Sequence, residues 1–182
     1  MLPGYELSPR LRLICRVSKW ATLALGVLLI ALLFTGDVIS AITAQAWTQL
    51  APETQAAIQF SDAKKAQVQA FAYAGYLAPF LILFGAFRMF SALQTGAVFS
   101  LKTVKALRFL GLMVLVEAIF RSLFGSMMIL LMTFDASSGH RTLSISIGSQ
   151  QLIAILVGII FLIIGHVFTQ AVHISDESRQ IV

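Results

Sequence analysis

The chain has 182 residues, of which 58% are hydrophobic and 12% charged, with a formal charge of +5 and a mean hydropathy of +0.88. A soluble domain carries about 25% charged residues, so this composition excludes an ordinary water-soluble globule and defines an integral membrane protein. The basic residues flank apolar runs instead of forming one solvated face, which argues against direct nucleic-acid binding.

Taken in order, the chain offers four apolar stretches long enough for about 30 Å of hydrocarbon, which needs roughly 20 residues. The expected spans are 20–41, 70–93, 109–133 and 152–171, within one all-α domain covering 1–182, with a tail at 172–182. Before the first span stands "RLRLICRVSK". Although "AQA" at 44–46 resembles a cleavage site, the apolar stretch is long for a signal peptide and Asp37 precedes that site. Cys15 is the one cysteine; a single thiol makes no internal disulfide, and it reads as a small apolar residue near the membrane surface.

Residues 42–69 are polar and Ala-rich, and a short helix is expected from Pro52. Asp62 is the expected N-cap of the second long helix. Pro79 should kink that helix and free the carbonyl of Gly75. Gly96 suits a helix C-terminus and Ser100 the N-cap of the next helix. Residues 142–147, "TLSISI", alternate as an extended segment would. The final helix should continue past the membrane to about Asp176, since no Gly or Pro stops it.

Basic residues set the expected orientation. Arg10, Arg12, Arg16, Lys19, Arg88, Lys102, Lys105, Arg108 and Arg179 fall on one side, against Lys64, Lys65 and Arg141 on the other. Nine against three is expected to place both termini in the cytoplasm.

Two stretches, "FRMFSALQTGAVFSLKTVKALRFLG" at 87–111 and "GHVFTQAVHISDESRQIV" at the end, carry a resemblance. They are similar to a family of small bacterial four-span membrane proteins catalogued as domain of unknown function 2975. Gly96 and Phe99 match its turn between spans two and three; Val167, Phe168, Ile174, Glu177 and Val182 match its closing pattern. Val98, Ala171 and Arg179 depart from it. The resemblance implies a four-helix membrane protein without assigned chemistry. Some members are similar to the membrane halves of pairs whose other half is a helix-turn-helix regulator.

Glu117 and Arg121 stand inside the third apolar run, four residues apart and hence on one helix face. Each lone charge in hydrocarbon costs roughly 2.5–3.5 kcal/mol, so the pair should face the bundle core. Gly125 leaves room for the guanidinium. Counting from the inner ends of the spans puts His166 within roughly 4 Å of the depth of Glu117, and Asp37 nearer the outer surface. Two readings follow: a proton or ion path through Glu117, His166 and Asp37, or a buried ion pair with a bonded histidine that fixes helix register. The second is favoured, because "LIAILVGIIFLII" in span four has no polar residue to continue a path.

His166 and His173 are seven apart on one face and cannot ligate one iron from opposite sides; His173 and Glu177 alone make a weak metal pair. No cofactor is expected. No nucleophile–base set is present either, so no enzymatic activity is expected. Ala154, Gly158 and Gly165 form a small-residue stripe suited to packing within the bundle or to a homodimer. Lys102, Lys105 and Arg108, with Leu101, Val104 and Leu107, make a basic amphipathic start suited to anionic lipid. The expected partner-facing surface combines Gly96, Phe99, Lys102, Lys105 and Arg108 with His173, Asp176 and Glu177 of the tail. Its expected partner is a cytoplasmic protein.

Overall fold

The computed structural model describes residues 9–58, 61–94, 100–134 and 148–180, without the side chains of residues 57, 173 and 175–180. Every element among them is a helix: α1 Pro9–Thr35, α2 Asp37–Thr48, α3 Pro52–Ala57, α4 Asp62–Tyr76, α5 Pro79–Gln94, α6 Leu101–Thr133 and α7 Ser149–Gln180. Four helical stretches are long and apolar enough to cross a membrane: α1, the α4–α5 pair, α6, and Ser149–Val172 of α7. The expected extended segment at 142–147, with Gly96 and Phe99, lies outside the described residues.

Local chemistry sets the breaks. The first expected span does not run on to residue 41. Gly36 has φ of 74°, a left-handed backbone that costs glycine little, and it separates α1 from α2. Asp37 then begins α2, where a carboxylate suits the positive end of the helix. Pro52 opens α3 as expected. The Gln55 side-chain amide donates back to the carbonyls of Trp47 and Leu50, at 2.9 and 3.1 Å, closing the end of α2. The cap of α4 is Ser61, one residue before the expected Asp62; its hydroxyl accepts from the Lys64 N–H at 3.3 Å.

Pro79 breaks the second long helix as the sequence requires. Its ring denies a donor to the turn below, and Leu77 and Ala78 tighten to bonds three residues back. The Gly75 carbonyl is not left free, as expected from sequence, but accepts from the Ala78 N–H at 3.2 Å. Ser100 caps α6 as expected, its hydroxyl accepting from the Thr103 N–H at 3.2 Å. The α7 helix outruns its expected end and continues to Gln180.

The central element is α6, which packs against α2, α4, α5 and α7. Its closest seam is with α7. A methyl group on Gly111 would come 2.9 Å from the Gly158 carbonyl oxygen and 3.1 Å from the Leu162 nitrogen. One at Gly158 would meet Leu115 Cγ at 2.7 Å, and one at Gly165 would overlap Arg108 Cγ. The small-residue stripe of α7 therefore serves packing inside the bundle, where bare backbones approach most closely.

These contacts fix the register. Gly158 sits opposite Gly111 and Gly165 opposite Arg108; Gly85 meets Leu110 and Gly26 meets Leu83. Lys19 lies over the Phe87 ring. Carried along the helices at 1.5 Å per residue, these pairs define a shared layer of about residues 14–33, 74–93, 103–122 and 149–168, roughly 30 Å thick. The ends of α5 and α7 and the starts of α1 and α6 share one face of that layer.

Beyond the opposite face stands a cap made of α2, α3, the start of α4 and the last third of α6. The main buried hydrophobic cluster is centred here and reaches the margin of the layer at Tyr76: Ile39, Ala46, Leu50, Val68, Ala72, Tyr76, Met128, Ile129 and Met132. The Tyr76 hydroxyl ties cap to layer by donating to the Leu29 carbonyl at 3.1 Å. Within the layer the apolar side chains of α1 and α7 point outward: Trp20, Val27 and Leu28, and Leu152, Ile153 and Ile163, are exposed on the protein's own surface.

Candidate functional site: a polar cleft between cap and layer

Glu117 and Arg121 form the expected ion pair. The guanidinium donates to one carboxylate oxygen, Oε1, through Nε at 2.8 Å and also through Nη2. The two partners are not equally placed. Glu117 is buried, at 4% of its full exposure, while the Arg121 side chain keeps 45%. The expectation that both face the core is therefore corrected. Only the carboxylate is enclosed, and the guanidinium reaches outward from it.

Depth explains the difference. Register places Arg121 level with the first turn of α7, at the margin of the layer. The third stretch shared with the other helices is not 109–133 but about 103–122, because α6 extends roughly 16 Å beyond that margin into the cap. At that margin the Arg121 side chain stays half exposed instead of being enclosed among the helices.

His166 is not a partner of Glu117. It is exposed, and its Nε2 lies 3.4 Å from the Gln170 amide nitrogen one turn along α7. Its neighbour Gly165 faces Arg108, which lies nine residues from Glu117 on α6, or roughly 14 Å along the axis. The expected match in depth fails because α6 and α7 do not end in the same plane. Asp37 also stands apart from the pair: it is exposed in the first turn of α2, and its backbone carbonyl accepts from Ser40 Oγ at 2.7 Å. The four residues expected to form one polar cluster thus reduce to the pair Glu117 and Arg121.

What the pair adjoins is a cleft of about 570 Å³. Its α6 wall carries Arg121, Ser122, Gly125 and Ser126 with Phe120, Phe124 and Met128. From α2 and the residue that caps its end come Ile42, Gln45 and Gln49; from the start of α7 come Ser149, Gln150 and Gln151; Gly75, Tyr76 and Pro79 of the kinked segment complete it. Gly125 fulfils its expected role in part. A methyl group there would meet nothing within 4 Å, so the room it leaves belongs to the cleft rather than to the guanidinium. The kink helps to build the cleft: Gly75 sits so close to the Phe124 ring that a β-carbon would overlap it, and that ring stacks on Phe71 with centroids 4.4 Å apart.

The residues of the expected partner-facing surface are described in part. Lys102, Lys105 and Arg108 are exposed along the first turns of α6, opposite the buried Thr103, Val104 and Ala106. Arg108 also covers Gly165 of α7. Residues 173, 176 and 177, where the sequence has His173, Asp176 and Glu177, belong to the α7 extension past Val172.

Sequence reasoning missed several contacts that join distant segments. The Arg88 guanidinium lies 4.6 Å from the Phe109 ring centroid and 6.0 Å from that of Phe84, holding α5 to α6. Lys64, counted among the three basic residues of the outer side, is 6% exposed with its ammonium over the Phe134 ring. Cys15 is buried, and the Gln94 amide donates to its carbonyl at 3.4 Å. Apart from Arg88 and Phe84, one helical turn apart on α5, these partners lie too far apart in sequence for periodicity to reveal.

The fold defines an all-helical protein with four membrane-length apolar helices, a small packed cap and a polar cleft between cap and layer. The profile of a family described as protein of unknown function (DUF2975) matches residues 46–182, and the chain belongs to that family. No curated protein and no solved structure matches the chain.

Proposed function

We propose that this is a non-enzymatic inner-membrane protein of a bacterium that regulates or senses, acting through a cytoplasmic protein partner. The layer spans the bilayer, both termini and the α5–α6 turn face the cytoplasm, and the cap faces outward. Nine basic residues against three support that orientation.

The observation that carries the reading is the α6–α7 pair. Two continuous helices of 33 and 32 residues join the cleft at one end to a basic surface at the other, and the Gly111–Gly158 contact leaves them little freedom to move independently. A change at Arg121 or at the first turn of α7 therefore reaches Lys102, Lys105 and the α7 extension as a rigid displacement. The partner docks on the turn containing Gly96 and Phe99, on the basic start of α6, and on the tail containing His173, Asp176 and Glu177. A helix-turn-helix regulator is the partner class that the family resemblance suggests.

Deleting residues 174–182 tests this. The truncated protein should insert into the membrane at normal levels and lose a cytoplasmic protein that co-purifies with the full chain. Retention of every native partner would end the docking role.

One observation favours a second reading, a small transporter or proton-coupled channel: the charged pair borders an open polar cleft. The Gly111–Gly158 backbone contact narrows the α6–α7 seam beyond that cleft, which weighs against it. Proteoliposomes that show proton flux dependent on Glu117 would establish this reading in place of the first.

A further inference from the structure

We propose that the cleft is a binding site for a small amphipathic anion, a carboxylate or phosphate attached to a short apolar body. This rests on the sensory reading, for which it supplies the ligand class.

The charge pattern of the wall selects an anion. Among the described lining residues Arg121 carries the only formal charge. The carboxylate paired with it, Glu117, is buried and engaged by Arg121 and does not line the cleft. That engagement uses Nε and Nη2 toward one oxygen and leaves the Nη1–Nη2 end of the guanidinium without a hydrogen bond to any other described residue. Glu117 thus acts as a positioning residue. It holds the guanidinium, which lines the cleft, in one orientation and leaves the remaining donors available to an anion, in the fork that carboxylates and phosphates accept best.

The remaining wall completes the recognition. Gln45 of α2 and Gln49 at its end, and Gln150 and Gln151 from α7, bring four side-chain amides to the same space. Each can donate to an oxygen that the guanidinium does not reach. Ile42 and Tyr76, together with Phe124 and Met128 of the α6 wall itself, give the space its apolar surface. About 570 Å³ lies within the roughly 300–1,000 Å³ typical of small-molecule sites, and a few convergent polar groups against apolar walls is their usual composition. A small cation is disfavoured by the guanidinium, and a purely apolar molecule would leave that guanidinium and the amides without acceptors.

The same chemistry has two sources: a soluble organic anion entering from outside, or the headgroup of an anionic lipid at the layer margin. Thermal unfolding in phosphatidylcholine nanodiscs separates them. Hexyl phosphate and hexanoate are titrated in one arm, and phosphatidylglycerol replaces part of the phosphatidylcholine in the other. Two variants serve as controls. Gly125→Leu fills the cleft without touching a charge, and Glu117→Gln with Arg121→Gln removes both charges while keeping hydrogen-bonding side chains.

The proposal expects a saturable rise of about 5 °C at a hundred times Kd with hexyl phosphate or hexanoate, lost in both variants, if the ligand is soluble. If the ligand is a headgroup, soluble anions have no effect and the rise follows phosphatidylglycerol content, again lost in both variants. A rise that persists in both variants, or no rise with any of the three probes, overturns the proposal. Should no anion bind while deletion of 174–182 still releases a partner, the regulatory reading stands with another ligand. Should an anion bind while the deletion releases nothing, the site stands and the regulatory reading falls.

Discussion

The cap and the layer are built from the same helices by opposite rules. In the cap, Ile39, Val68, Ala72, Met128, Ile129 and Met132 turn inward on one another, and helix ends are closed by side chains such as Ser61 and Gln55. In the layer the large apolar side chains of α1 and α7 point outward, while glycines and small residues make the inner seam. A single helix, α6, obeys both rules along its length. The lesson is that hydropathy marks α6 as one apolar stretch, although its last third packs inward on the cap cluster. The Glu117–Arg121 pair stands where the rules change.

That contrast can be broken at defined residues. The largest effect should come from the cap core. Ile129→Ala or Met128→Ala removes a side chain that is about 1% exposed and should cost about 3 kcal/mol, read by denaturant unfolding of the purified protein. The Tyr76–Leu29 bond should survive, with hydrogen exchange rising in α2 and α4 and not in the α6–α7 seam. Equal loosening of both regions would show that cap and layer are one core.

Next in size is the seam. Gly111→Ala places a methyl group 2.9 Å from the Gly158 carbonyl oxygen and should cost about 2 kcal/mol through forced separation of α6 and α7. A neutral result in detergent melting would mean the two helices are not locked there.

The charged pair should then show an asymmetry. Arg121→Leu strands a buried carboxylate and should cost about 2 kcal/mol. Glu117→Leu leaves a guanidinium that is already half exposed and free to turn to water, at under about 1 kcal/mol. The double Leu variant should lie nearer wild type than Arg121→Leu does. Equal costs for the two single variants would place both charges at one depth.

The smallest effect belongs to Gly125→Ala. It meets empty space and replaces a glycine inside a helix, so stability should rise by about 0.5–1 kcal/mol. Destabilisation would mean the cleft is narrower than described.

Much of this fold was legible in the sequence, and what was legible was local. Ser100, Pro52 and Pro79 act through their own backbone bonds, so their effects needed no tertiary information. The break at Gly36 was hidden because apolar residues continue on both sides of "TGD". The ion pair was legible from its spacing, but its setting was not. Depth was counted from helix ends, and that count holds only where neighbouring helices end together. Here α6 overshoots α7 at the cap end, which moved Arg121 from the interior to the margin, and α7 runs past the start of α6 at the other end, which separated Glu117 from His166. Half of the backbone contact between α6 and α7 was visible as Gly158; Gly111 stands alone in "RFLGLM" and acquires meaning only opposite its partner.

The division of α6 is the central claim, and cysteine labelling tests it most directly. In a Cys15→Ala background, single cysteines are placed at Leu130 in the cap part of α6, and at Leu112 and Ile163 in the layer. All three side chains are exposed on the protein's own surface, at 38%, 46% and 57%, so only the surrounding medium separates them. Labelling by a water-soluble maleimide in intact nanodiscs should be rapid at residue 130 and slow at residues 112 and 163. If residue 130 is as resistant as residue 112, the last third of α6 lies in lipid and the cap does not stand in water.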